Sequence, residues 1–315
     1  MTNSRKKLAM NCVIVVSLIV PATANGQGRR VDDVKTPSRI MDSSEGAVED
    51  ASYGRPGKGQ PFLPQRSSAV VTLLGGGDSD GLGMTGLNVS TTFARPMPWW
   101  HTIFTVTPAF DVQFIDSPDA VALPSELYRA SLSLSVMKPI SDRTQLVAGI
   151  TPSFVSDFEA SSNALRLMAF AAAAWQWKPT TKLTFGVAAT GREDIPILPM
   201  AGLTWTPNED WQIDVAAPRP RIARRVQWFD PCGDDWFYVA GELGGGTWAV
   251  DRAGRDDELT IRDFRLVAGF ERKATDGLSA RFEAGYVFSR EIEFENDGFQ
   301  FEPADTFMVR AGLTF

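Results

Sequence analysis

The 315-residue chain holds one histidine and two cysteines, and one of those cysteines, Cys12, lies in a segment that reads as removable. So little His and Cys excludes most His/Cys metal centres and any disulfide within the mature chain. No basic excess exists either. With 31 Lys and Arg against 38 Asp and Glu the net charge is −7, which argues against nucleic acid, whose phosphates need a basic stripe. The apolar run Leu8–Val20 falls short of the ~20 residues that a membrane-spanning helix requires. With 10% aromatics, 27 Gly and 20 Pro, the composition suits neither a coiled coil nor a fully disordered chain.

What is present begins with the amino terminus. Arg5, Lys6 and Lys7 form a basic flank, Leu8–Val20 an apolar core, and Ala22 and Ala24 an Ala-x-Ala site. Residues 1–24 are therefore expected to be a signal peptide cut after Ala24, which removes Cys12 and leaves the mature chain more acidic still. Residues 25–66 are rich in Gly, Ser, Pro, Asp and Arg, with apolar residues scattered singly. Such a segment buries too little apolar area to offset its ordering entropy, so a flexible polar extension is expected there.

From residue 67 to 315 the dominant signal is period two. Tyr128, Ala130, Leu132, Leu134 and Val136 alternate with Arg129, Ser131, Ser133 and Ser135. The same alternation sets Leu278, Ala280, Phe282, Ala284, Tyr286 and Phe288 against Arg281 and Glu283, and Phe307, Val309, Ala311 and Leu313 against Arg310. Successive strand residues point to opposite faces, so each segment has an apolar and a polar face. The polar faces carry Asp111, Gln113, Arg129, Arg166, Arg265, Arg281, Glu283 and Arg310 near mid-strand. A soluble sandwich would point these at solvent; a membrane barrel would point them into a wet lumen.

The junctions favour the barrel. Met137–Thr144, Trp177–Lys182, Trp205–Trp211 and Arg272–Gly277 are short and rich in Pro, Asp, Asn or Gly, as tight turns require. Those between them, such as Ile115–Pro124, Asp157–Asn163, Val250–Asp257 and Glu291–Asp305, are longer. Short turns at one end and long loops at the other describe an outer-membrane barrel. Trp99, Trp100, Trp175, Trp177, Trp205, Trp211, Trp228 and Trp236 cluster at the short-turn end, as an interfacial girdle would. The expected fold is thus all-β: an antiparallel up-and-down transmembrane β-barrel of about 14 strands, with about 12 as the main alternative. Two stretches leave room for other readings. Trp211–Trp228 reads as two strands around a turn at Pro218-Arg219-Pro220 or as one kinked strand, and the Ala run of Ala164–Trp177 reads as a strand or a capped helix.

The segment closes on Leu313-Thr314-Phe315, an aromatic in register with the apolar face. This resembles the carboxyl-terminal signature of bacterial outer-membrane proteins, which implies Phe315 as part of an assembly signal read by the barrel-assembly machinery. Pro108, the Trp211…Pro218-Arg-Pro-Arg221 segment and Gly241-Glu-Leu-Gly-Gly-Gly-Thr-Trp248 resemble an uncharacterised family of bacterial outer-membrane β-barrels, a domain of unknown function. That resemblance implies a fold and a location in the cell outer membrane, among its lipids. It carries over no activity and no functional residue.

Catalytic and ligand motifs fare poorly. His101 sits beside Trp99-Trp100 at a short turn, with no carboxylate or nucleophile near it in sequence, and reads as a polar girdle residue. Asp78 and Asp80 suggest a calcium loop, but Leu82 occupies the next ligand position and no Glu closes it. Gly244-Gly245-Gly246 lacks the Lys-Ser/Thr of a phosphate loop, and Cys232 has no basic neighbour to activate it. No cofactor, metal or catalytic residue is assigned. The cluster Arg219, Arg221, Arg224 and Arg225 either lines an anion-selecting constriction, pairs with Asp214 and Glu242, or binds lipid head groups at the rim. The leading expectation is a passive pore or transporter for a small solute, its cargo unspecified, with Asp111, Arg129, Arg166, Arg265, Arg281, Glu283 and Arg310 lining the lumen. The alternative is a closed structural or adhesive surface barrel acting through its loops, and an enzyme ranks behind both. On this reading Leu313→Arg disrupts the lipid face while neutralising Arg310 is mild.

Overall fold

The computed structural model describes residues 64–76, 81–97, 100–117, 121, 123–160, 163–190, 197–216, 219–226, 234–252, 254–273, 277–296 and 298–315. The leader site Ala22 and Ala24, most of the polar extension, and Asp78, Asp80, Trp99, Pro218, Trp228 and Cys232 lie outside these residues. In chain order the strands are β1 (Pro64–Leu74), β2 (Gly83–Met97), β3 (Thr102–Asp116), β4 (Glu126–Ser141) and β5 (Thr144–Ser156). Next come β6 (Leu165–Lys178), β7 (Thr181–Ala189), β8 (Ile197–Asn208), β9 (Trp211–Ala216) and β10 (Arg221–Val226). The last are β11 (Asp234–Asp251), β12 (Asp256–Lys273), β13 (Ser279–Phe294), β14 (Gln300–Phe301) and β15 (Thr306–Thr314). Fourteen of them pair antiparallel with their neighbours around a closed barrel, sealed where β1 meets β15 and β12 meets β13. The short β14 lies on the far end of β13.

Closure leaves no free sheet edge in the wall among the described residues. On each strand the apolar face points outward: Leu73, Leu87, Phe110, Leu132, Leu167, Val187, Ile222, Leu266, Phe282 and Phe307 are all exposed. Near the short-turn end Trp175, Trp177, Trp205 and Trp211 stand outward. Toward the loop end the outer face carries Phe and Tyr instead. Phe110, Tyr128, Phe158 and Phe154 form one run of ring contacts, and Phe264, Phe288, Tyr286 and Phe307 another. Trp236 departs from the expected girdle. It shares the inward face with Tyr238 and Ala240 and is buried, because strand parity, not nearness to a turn, sets the face.

Several boundaries differ from the sequence reading. The wall begins at Pro64, so residues 64–66, read as the end of the extension, belong to β1. Arg221 pairs with Asp214 and Ile222 with Ile213, so β9 and β10 are two strands around a turn and the wall has fourteen strands, not twelve. The Ala run forms β6, held by ladders to β5 and β7 that a helix could not make. Two expected long loops are shorter than read. β11 runs to Asp251 and β12 restarts at Asp256, with the Arg252 amide donating to the Arg255 carbonyl at 2.8 Å. β13 continues to Phe294 through a bulge at Ser289, whose φ is 51°. One extra residue there inverts the parity, so Arg290, Ile292 and Phe294 turn inward while Glu291 and Glu293 turn out toward Arg262.

Two prolines interrupt the ladder in mid-wall. Pro108 and Pro152 have no N–H to give, and pairing lapses beside them between β2 and β3 and between β4 and β5. On the inward face Thr92 and Thr107 hydroxyls meet at 3.0 Å across the first gap, and Ser133 and Thr151 at 2.9 Å across the second. Hydroxyl pairs thus stitch the wall where backbone bonds cannot. At the loop end the interior is apolar, packed around Leu82, Leu127, Trp248, Leu259, Ile292 and Phe294. There β5 and β11, far apart around the barrel, come together: Ala249 pairs with Ser156, and the Asp157 amide donates to the Ala249 carbonyl. Asp157 Oδ2 accepts the Asp251 amide at 2.8 Å, and its Oδ1 accepts the Glu159 and Ala160 amides at 2.9 Å.

Candidate functional site

Below that apolar layer, the inward faces of β10–β13 and β15 converge on a belt of charges. Each position follows from parity: Arg221 on β10, Glu242 on β11, Asp263, Arg265 and Glu271 on β12, Arg281 and Glu283 on β13, and Arg310 on β15. Arg219 enters from the turn between β9 and β10. Arg310 grips Glu242 with two nitrogens, at 2.7 Å and 2.9 Å, and reaches Glu283 at 2.9 Å. Glu283, 0% exposed, also accepts from Arg219 and from the Tyr238 hydroxyl. Arg265 holds Asp263 at 2.5 Å and Glu242 at 3.3 Å, and Arg221 pairs with Glu271 at 2.9 Å while lying 3.6 Å above the Tyr238 ring. Charges this buried require close partners, since an unpaired one would cost several kcal/mol.

Glycines make the space. A side chain at Gly244 would overlap Asp263 and Arg265, and one at Gly269 would overlap the Tyr238 ring. One at Gly246 would strike Arg129 and Trp248. The Gly244–Gly246 run that failed as a phosphate loop is therefore a groove for arginines, Arg265 from the adjacent β12 and Arg129 from β4 across the interior.

The arginine cluster divides. Arg219 and Arg221 join the belt, and Glu242 is indeed a partner of Arg219, at 3.5 Å. Arg225 faces in at the short-turn end and pairs with Asp234 at 2.9 Å. Arg224 is a correction: it points outward, exposed, 5.5 Å from the Trp211 ring, because it alternates with Arg225 and shares its face with Ile222. Asp214 faces inward but accepts from Gln212 at 2.8 Å instead. Asp111, Arg129 and Arg166 form a second group toward the loop end. Asp111 sits opposite Arg129 in register and accepts from Gln113 at 3.2 Å, Arg129 lies 5.4 Å from the Trp248 ring, and Arg166 pairs with Glu258. The geometry revises one expectation. Arg310, read as dispensable on a wet face, is 6% exposed and the hub of the belt. Glu271, Asp263, Tyr238 and Glu258 were missed; the first three sit at inward parity on long strands, the one signal that would have found them, whereas Glu258 is out of step with that face of β12 and is identified only by its pairing with Arg166. His101 is exposed at the β2–β3 turn with φ 48°. Phe315 exchanges two backbone hydrogen bonds with Ser67 and leaves its ring exposed.

The opposite wall is built differently. The inward faces of β2–β5 carry Ser90, Thr92, Thr105, Thr107, Ser131, Ser133, Ser135, Thr151 and Ser153, many bonded hydroxyl to hydroxyl, as Ser68 to Ser90 at 2.8 Å and Thr105 to Ser135 at 2.6 Å. Ser90, Ser131, Ser133, Ser135 and Thr151 keep part of their surface accessible although they face inward. The interior is thus charged and filled on one side, and hydroxylic with accessible space on the other.

The family model for a domain of unknown function, DUF6268, matches residues 115–302, more than half the chain. The chain belongs to that family. The matched segment contains β4–β13 whole and so every belt residue except Arg310. Among curated proteins no sequence matches. Solved structures similar to this member include a bacterial polysaccharide outer membrane secretin, at 11% identity, covering 79% of this chain and 97% of that one with a TM-score of 0.38. Others are a mutant Rh. blastica porin (10%, 79% and 97%, 0.34) and a TodX monoaromatic hydrocarbon channel lacking S2 and S3 (9%, 79% and 88%, 0.35). At these values the likeness says nothing of what this DUF6268 barrel carries.

Proposed function

We propose that this protein is an outer-membrane channel for small solutes, exported by a signal peptide cut after Ala24 and inserted with Phe315 as part of its assembly signal. The observation that carries the reading is the hydroxyl wall. Ser131, Ser133 and Ser135 face the interior of a closed fourteen-strand barrel yet remain partly accessible, on the wall across from the charge belt. Barrels wider than the eight-stranded type leave more interior than side chains alone must fill, and a hydroxyl lining can replace part of a polar solute's hydration. The apolar exterior with aromatic residues toward both ends suits lipid.

Steady single-channel currents from purified, refolded protein in planar bilayers are the expected result. Failure to conduct across a range of voltages, with and without residues 25–63, would overturn the channel reading. A second reading has its own observation. The apolar packing around Trp248 and Phe294 and the Asp157 clasp close the interior at the loop end among the described residues. A silent barrel whose Asp157→Ala variant is silent too would support a closed surface protein acting through its loops.

A further inference from the structure

The belt is not charge-balanced. Five arginines (219, 221, 265, 281 and 310) face four carboxylates, those of Glu242, Asp263, Glu271 and Glu283. Each carboxylate is already held by another arginine: Glu242 by Arg310, Asp263 by Arg265, Glu271 by Arg221, and Glu283 by Arg219 and Arg310. Arg281 is the residue left over. It is 8% exposed, its nearest carboxylate oxygen is Glu283 Oε1 at 3.7 Å, and its side chain donates no hydrogen bond to any described residue. Its Nη2 is sealed from solvent with no partner among the described residues. A buried guanidinium normally directs its planar fork of N–H groups at acceptors, and leaving them empty is costly.

Its surroundings suit an oxyanion. Arg281 is opposite Gly312, which presents no side chain, and Gly312 is opposite Val70. One inward step toward the short-turn end, the same register line holds Thr314, Ser68 and Ser90. The absent side chain at Gly312 lets the Arg281 stem and Val70 Cγ2 lie over β15, so one under-used cation and a row of hydroxyls share the part of the interior nearest the short-turn end. We propose that Arg281, with the hydroxyls of Ser68, Ser90 and Thr314, forms a binding site for a small oxyanion of the carboxylate or phosphate type, and that the channel therefore prefers anions despite the acidity of the whole chain. Rings and clusters of arginine select anions in pores by the same chemistry.

The selectivity half of this proposal rests on the channel reading; the binding half does not, and the two are measured separately. In detergent-refolded full-length protein, inorganic phosphate is titrated by calorimetry against wild type, Arg281→Gln, Arg281→Lys and Arg224→Gln. Saturable binding is expected for wild type and for the outward control Arg224→Gln. Arg281→Gln should weaken it at least about tenfold, the loss of a charge-assisted hydrogen bond, while Arg281→Lys, keeping the charge, should lose less. In bilayers under a salt gradient, wild type should show a chloride-over-potassium preference that falls toward unity in Arg281→Gln. Equal phosphate binding in wild type and Arg281→Gln, or none in either, overturns the site. Arginine-dependent binding in a silent barrel would overturn the channel while leaving the site standing. Phosphate bound, with currents that pass both ions alike, would overturn the selectivity.

Discussion

Arg310→Met tests whether the belt is structural cement or a loose lining. Arg310 gives Glu242 two charge-assisted hydrogen bonds, at 2.7 Å and 2.9 Å, gives Glu283 a third at 2.9 Å, and lies against Thr72 at 3.2 Å. Removing it leaves Glu242 with Arg265 at 3.3 Å and Arg219 at 3.5 Å, both farther away than Arg310 had been. Breaking a buried pair from one side costs about 3–5 kcal/mol. The two remaining arginines place the expectation near the lower bound, about 3 kcal/mol. Methionine matches the stem of arginine, so packing changes contribute little. The assay is urea unfolding of the refolded barrel in detergent or lipid, followed by tryptophan fluorescence and read as a midpoint shift at constant m. Arg224→Gln, exposed on the outer wall, should shift stability by less than about 1 kcal/mol. The double variant Arg310→Met with Glu242→Met removes both charges together, and its loss should fall well below the sum of the two single losses. A midpoint for Arg310→Met equal to that of Arg224→Gln, or strict additivity in the double variant, would refute the belt as described.

Three further outcomes follow from the same geometry. Leu266, exposed on the outer wall in the middle of β12, should tolerate arginine worse than Leu313, which lies near the end of β15; costs of about 2–4 kcal/mol at the midplane against about 0–1 near an interface should appear in refolding titrations, and equal losses would contradict the placement of the wall in lipid. Gly269→Ala drives a methyl into the Tyr238 ring and should cost about 1–3 kcal/mol, whereas Gly254→Ala, in open space at φ 78°, meets only backbone strain; comparison of their urea midpoints checks the order. Asp157→Ala removes the acceptor of the Asp251 amide and should speed hydrogen exchange there without changing exchange in mid-barrel strands; unchanged exchange at Asp251 would mean the clasp is not what holds β5 and β11 together.

Much of this architecture was legible because its cause is local. A strand turns its side chains over at every residue, so Tyr128 through Val136 reveal their apolar outward face, and Arg129 and Ser131 their inward face, with no knowledge of the neighbours. The same rule, applied strictly, already separates Arg224 from Arg221 and Arg225; grouping them by nearness in sequence obscured it. Other features have no local cause. The bulge at Ser289 reverses the parity of Arg290 and Phe294, and it arises from the register between β12 and β13. Trp236 looked interfacial beside a turn, but its burial follows from its face on β11. The belt itself joins Arg310 to Glu242 across 68 residues and Arg219 to Glu283 across 64. Alternation states that these charges point inward; only closure and curvature of the wall determine which of them meet. The amino-acid sequence therefore determined the barrel, an approximate strand number and its two faces, because those depend on period and turn chemistry, while the β9–β10 pairing fixed the count at fourteen. Tertiary structure decided that half the interior is ion-paired and half hydroxylic, and that Arg281 is left without a close partner, because electrostatic pairing depends on distances across the lumen that no stretch of sequence contains.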